Sequence, residues 1–125
     1  MLRFIFVLAF LLGSTLGCTS SKEAKTSGKL IASDFDYEKT KQKYIANCST
    51  CHGVEGRGDG VAAKAMKQKP RNFVKGDFKY GGTKEEIFAT ITKGIDGTPM
   101  PPWDTLPEQD RRDLAQFVLL FVQKR

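Results

Sequence analysis

The sequence predicts an all-α domain of about four helices folded around something that is not protein. Three observations carry this. Four stretches place apolar residues at helical spacing, strand signal is nearly absent, and the connecting loops are rich in glycine and proline and too long to pack on themselves. Extra support from a bound group is a common remedy in a domain of this size.

The first helix is expected after Asp34 and Asp36, whose charges favour the positive end of a helix dipole. Tyr37, Lys41, Tyr44, Ile45 and Cys48 then recur at helical spacing. A second, short helix is expected over residues 59–68, ended by Pro70, which disfavours helical geometry in the residue before it. Thr83 and Glu86 have capping-box spacing ahead of Ile87, Phe88 and Ile91, with Gly94 as the stop. Thr105 and Glu108 repeat that spacing ahead of Leu114, Phe117, Val118 and Phe121, the i, i+3, i+4, i+7 stripe of a long amphipathic helix. Residues 73–80 contain β-formers, but Gly76, Asp77 and the Gly81-Gly82 pair mark a loop or an extended segment.

Ahead of this domain, residues 4–12 form an apolar run behind Arg3, followed by Gly13, Ser14, Thr15 and Gly17. The run is too short to span a bilayer and reads as a secretory signal peptide, residues 1–17, which directs the chain to an extracytoplasmic, periplasmic location. Leu16-Gly17-Cys18 resembles the end of a bacterial lipoprotein signal, in which the cysteine is lipidated and anchors the chain to the membrane. Thr15 stands where that pattern usually has Leu, so plain cleavage with a free Cys18 is the alternative. Residues 18–33 are polar and lysine-rich and bury too little to offset chain entropy, which predicts a tether spanning on the order of 20 Å. The folded domain is then 34–125.

Cys48-Ser49-Thr50-Cys51-His52 is the chemical centre of the sequence. Two cysteines three apart each reach one vinyl group of a haem while the adjacent histidine turns its imidazole to the iron, so the motif predicts one covalently attached haem c. A thioredoxin-like redox pair needs a βαβ pattern, which is absent. A zinc site needs further ligands, yet His52 is the sole histidine and Cys18 lies thirty residues away. A second histidine ligand from this chain is therefore impossible. After leader removal only Met66 and Met100 offer a thioether. Met66 sits in a helical run where methionine is usually core filler, whereas Met100 lies in Gly97-Thr98-Pro99-Met100-Pro101-Pro102, where prolines fix the backbone and hold a soft sulfur in place. Met100 is the preferred sixth ligand.

The order of helix, CxxCH, short helix, Lys69-Pro70-Arg71-Asn72-Phe73, helix, Gly94 to Pro101 and terminal helix resembles the class I cytochrome c family, especially its bacterial monohaem members, over about residues 35–123. The resemblance implies thioether bonds at Cys48 and Cys51, His52 as the proximal ligand and Met100 as the distal one. It implies that the Pro70 carbonyl accepts a hydrogen bond from His52, that Tyr44 meets Leu114 and Phe117 where the first and last helices cross, and that Phe73 and Trp103 wall the haem. Arg71 faces a propionate on this reading, with a salt-bridged or solvated surface arginine as the alternative.

An iron with both axial positions filled has no place for substrate, so the expected function is single-electron transfer between respiratory redox partner proteins and not catalysis. A fixed haem subunit of a larger respiratory or dehydrogenase complex is the alternative, followed by a ligand sensor or enzyme with an open distal side. The net charge is +6, falling to +5 when Arg3 leaves with the leader. Lys64, Lys67, Lys69, Lys75, Lys79 and Lys84 gather around the expected haem surroundings, either steering the domain to an acidic partner or forming an ordinary solvated face. No nucleic-acid-binding motif is present.

Overall fold

The computed structural model describes residues 35–123. The expected signal peptide, the tether, Cys18 and Asp34 lie outside the described residues. Helix α1 spans Tyr37–Asn47, and its N-cap is Asp36, whose carboxylate accepts from the Lys39 N–H at 3.0 Å. The chain breaks at Cys48 and turns once more in α2, Ser49–His52, which stops at Gly53 with φ 79°. Helix α3, Lys84–Lys93, carries the complete Thr83–Glu86 capping box and ends at Gly94. Helix α4, Glu108–Gln123, is the longest. Among the described residues there is no strand.

Three expectations change. Residues 59–68 do not form an α-helix; a 3-10 turn covers Val61–Ala65, and Met66 is already extended. Only Ala63 of that turn is buried and Val61 is 78 % exposed, so tertiary packing gives no reward for a full α-turn. The Lys69 ammonium instead caps the turn by donating to the carbonyls of Ala63 at 2.9 Å and Lys64 at 3.2 Å. The second capping box is also displaced. α4 starts at Glu108, beyond Thr105, and the Glu108 carboxylate accepts from the Arg112 guanidinium at 2.6 Å. Pro107, which has no N–H to satisfy, stands just before the helix. Ile45, expected on the α1 stripe, is 43 % exposed, and the buried residues of α1 are Thr40 and Tyr44.

The core gathers Tyr44, Phe73, Ile87, Ile91, Leu114, Ala115, Phe117, Val118 and Phe121. Helices α1 and α4 meet through the Tyr44 ring, whose centroid is 5.2 Å from those of both Phe117 and Phe121, and through an ion pair of Lys43 with Asp110. Leu114 is 1 % exposed in the same core. Helix α3 is fastened to α4 by Arg111, which donates to the Thr92 hydroxyl at 2.9 Å, and by Phe88, which lies under the guanidinium groups of Arg111 and Arg112. A 3-10 turn at Phe73–Lys75, braced by the Asn72 side chain, brings Phe73 onto α4. These contacts leave a space between α2, α3 and the two loops that flank α3.

Candidate functional site

That space is a cleft of about 1120 Å³, its open mouth included. Cys48 lines it from the break between α1 and α2, and Cys51 and His52 from α2; Pro70, Arg71 and Phe73 line it from the following loop. Met100 and Trp103 line it from the loop after α3, and Ile87, Ile91 and Val118 add apolar wall. The residues nominated to hold or wall the haem within the described region therefore all line one cleft, whereas Lys64, Lys67, Lys75 and Lys84 do not. Met66, weighed as core filler, is half-buried and lines the cleft too. Phe78, Tyr80, Thr90 and Thr98 also line it without having been nominated. Thr98 had a legible signal, since it stands between the glycine and proline of the Met100 loop.

The His52 imidazole is held at one nitrogen. Its Nδ1 lies 3.2 Å from the Arg71 carbonyl oxygen. A carbonyl can only accept, so Nδ1 carries the proton and Nε2 presents its lone pair. The acceptor differs from the one expected. The Pro70 carbonyl faces Gly58, where an added Cβ would stand 2.5 Å from its oxygen, and the next peptide supplies the acceptor. Burial lowers the His52 pKa, the Arg71 carbonyl opposing it, which favours the neutral imidazole that ligates metals. The Phe73 ring stacks on the imidazole with centroids 4.4 Å apart and planes 18° apart.

The Arg71 side chain stands 3.7 Å from the Asp77 carboxylate, on the exposed side of the loop. Cys48 and Cys51 are free thiols and both are half-buried. Burial pushes the Cys48 thiol up to about 12, with the charge of Cys51 adding to the shift. A thiol so held is not the activated thiolate of a disulfide oxidoreductase.

The loop carrying Met100 is fixed by hydrogen bonds as well as by its prolines. The Ile95 N–H donates to the Met100 carbonyl at 3.1 Å. The Thr98 hydroxyl donates to the Ile95 carbonyl at 2.7 Å and accepts from the Met100 N–H at 3.2 Å. The Trp103 N–H then returns to the last turn of α3, donating to the Ile91 carbonyl at 3.1 Å. Gly94 makes this path possible. Its φ is 67°, and a Cβ there would lie 2.6 Å from the Pro101 carbonyl carbon.

Two free thiols, an imidazole with an available Nε2, a fixed thioether loop and apolar walls match the donor set of a covalently held haem c.

The comparisons with known proteins agree. The profile of the family described as cytochrome C oxidase, cbb3-type, subunit III matches residues 35–118. The chain is 38% identical over 66 residues to the cbb3-type cytochrome c oxidase subunit FixP of Azorhizobium caulinodans, covering 53% of this chain and 20% of that protein. It is 35% identical over 82 residues to subunit CcoP of Azospirillum brasilense, covering 65% and 27% respectively. It is 31% identical over 77 residues to cytochrome c55X of Stutzerimonas stutzeri, covering 59% and 55%. The chain thus spans between about a fifth and just over half of these relatives' lengths. Among solved structures, the Kuenenia stuttgartiensis reducing HAO-like protein complex Kustc0457/Kustc0458 contains a similar chain, with TM-score 0.65 and 37% identity over 67% of this chain and 41% of that one. The chain belongs to the cbb3-type cytochrome c oxidase subunit III family: it is an all-α, class I monohaem c-type cytochrome domain whose cofactor is covalently bound haem c and whose chemistry is electron transfer.

Proposed function

We propose that this domain carries single electrons between extracytoplasmic respiratory proteins, with His52 and Met100 as the two axial ligands and no substrate site at the iron. The observation that carries this reading is that His52, its Nδ1 occupied by Arg71, and the hydrogen-bonded Met100 loop line the same cleft. Haem c, when bound, would supply a reversible one-electron iron couple, and Met100 and His52 as its ligands would set that couple higher than two histidines do. Cys48 and Cys51 would hold the group covalently through their sulfurs. Phe73, Ile87, Ile91 and Trp103 line the cleft with apolar surface that would shield the group from water. The test is a sulfur-to-iron absorption band in the ferric protein that disappears in Met100→Ala while the haem stays attached. A wild-type protein without that band, or with a strongly negative reduction potential, overturns the ligand assignment and opens the distal side to a sensing or enzymatic role.

A second reading is a fixed haem subunit of a larger complex. It is favoured by relatives that are named as oxidase subunits and are longer than this chain. Co-purification from solubilised membranes with a stoichiometric redox partner supports it; a monomeric, freely diffusing domain overturns it.

The location follows from the leader-like residues 1–17 and from Cys18 at their end. Lipid on Cys18, with 18–33 as tether, places the domain at a periplasmic membrane surface, and mass spectrometry of the mature N-terminus tests this. Among the described residues no helix is long and apolar enough to cross a membrane. Lys64, Lys67, Lys75 and Lys79 are exposed and favour an acidic redox partner, which a fall in electron-transfer rate with added salt checks.

A further inference from the structure

We propose that Phe73 is a positioning residue that sets the rotational orientation of the His52 ring, and through it the electronic axes of the iron. The inference rests on the reading of His52 as an axial ligand. One hydrogen bond from Nδ1 to the Arg71 carbonyl fixes a point on the imidazole but leaves the ring free to tilt about that point. The stacked Phe73 ring removes this freedom. Its contact with His52 is the closest of the ring pairs around it: 4.4 Å between centroids, against 6.0 Å from Phe73 to Phe78 and 6.2 Å from Phe73 to Phe121.

Phe73 is itself immobilised. It is 8 % exposed, its N–H donates to the Gly56 carbonyl at 2.7 Å, and Asn72 pins the turn that bears it. The rings of Phe78 and Phe121 lie within 20° and 25° of parallel to it, so the plane presented to His52 is part of a stacked series. Both constraints on the imidazole, the acceptor and the stacking plane, come from the three-residue segment 71–73. The ring's orientation is thereby set by the loop after α2, while α2 supplies only the attachment point.

The test is proton NMR of the oxidised, haem-loaded full chain. The positions of the four haem methyl resonances depend on the imidazole plane, and core stability alone does not move them. Phe73→Met, which keeps the apolar volume but has no plane, changes their order or narrows their spread, and Phe73→Tyr restores the wild-type pattern. Phe117→Leu serves as a control, because it weakens the same core from outside the series of rings stacked on Phe73: it lowers Tm and leaves the methyl pattern unchanged. If Phe73→Met accumulates no holoprotein, Phe73→Leu takes its place. A wild-type pattern in the ringless variant, or an equal change in Phe117→Leu, overturns the proposal. A wild-type protein lacking the low-spin spectrum and the sulfur-to-iron band overturns the ligand assignment instead, so the two failures are distinguishable.

Discussion

The Tyr44 hydroxyl donates to the Gly53 carbonyl across 2.7 Å in the buried core, so the middle of α1 holds the residue that directly follows the haem-attachment motif. Tyr44→Phe keeps the ring contacts with Phe117 and Phe121 but leaves that carbonyl with the Gly56 N–H, at 3.1 Å, as its remaining donor. The expected cost is about 0.5–1.5 kcal/mol of stability, read by denaturant unfolding of the holoprotein.

The same tyrosine gives an alkaline signature. Burial raises its pKa above the ordinary phenol value, and the charges of Cys48, Asp59 and Glu55 add to the shift. The unfolded chain therefore ionises at about pH 10 while the folded one does not. Its contribution is intact below that pH and is lost as pH rises beyond it. Stability against pH from 8 to 11 shows this part of the decline in the wild type, and Tyr44→Phe lacks it.

At the acid end the group to follow is Glu86. The Thr83 N–H and hydroxyl hold its carboxyl below the usual carboxylate range. A depressed pKa stabilises above the unfolded value of about 4.3, and the benefit disappears as pH falls through the folded one. Thermal melts at pH 7 and pH 3 therefore differ more for the wild type than for Glu86→Ala, whose α3 has already lost the reciprocal cap.

Thr98→Val tests the tie inside the Met100 loop. The change removes both hydrogen bonds of the hydroxyl at nearly constant shape. On the proposed ligation Met100 is then easier to displace: added imidazole binds the ferric protein about fivefold more tightly, corresponding to about 1 kcal/mol. An unchanged imidazole affinity means that the prolines alone hold the loop.

Two glycines separate crowding from backbone strain. A Cβ at Gly60 would lie 2.3 Å from the Thr50 carbonyl oxygen inside the attachment segment, whereas at Gly97 nothing stands within 4 Å but φ is 71°. Gly60→Ala is expected to cost about 3 kcal/mol and to lower haem incorporation. Gly97→Ala costs about 1 kcal/mol and leaves incorporation unchanged. Unfolding curves and haem content per chain check both.

What could be read from the sequence follows the range of the interaction. The α4 stripe of Leu114, Phe117, Val118 and Phe121 is local periodicity, and all four residues are buried. The Thr83–Glu86 box is equally local and forms in full. The same spacing at Thr105 and Glu108 misled because Pro107 and the Arg112 pairing compete for the helix start. The carbonyl opposite His52 was misplaced by one residue, since the acceptor lies nineteen residues further on and depends on how the chain at Pro70 and Arg71 passes Gly58. Ile45 and Met66 failed for the related reason that periodicity says which residues share a face and not what that face meets. Whether a short stretch such as 61–65 closes as an α or a 3-10 turn depends on burial that only the assembled fold supplies.

The meeting of Tyr44 with Phe117 and Phe121 also bears on the order in which the molecule forms. These partners lie near opposite ends of the described chain, so their contact closes a long loop, and α4 must be present before it can form. A chain synthesised from its N-terminus presents Cys48 and Cys51 before α4 exists. The thiols are thus accessible for covalent modification while the last helix is absent, and its arrival closes the core behind them.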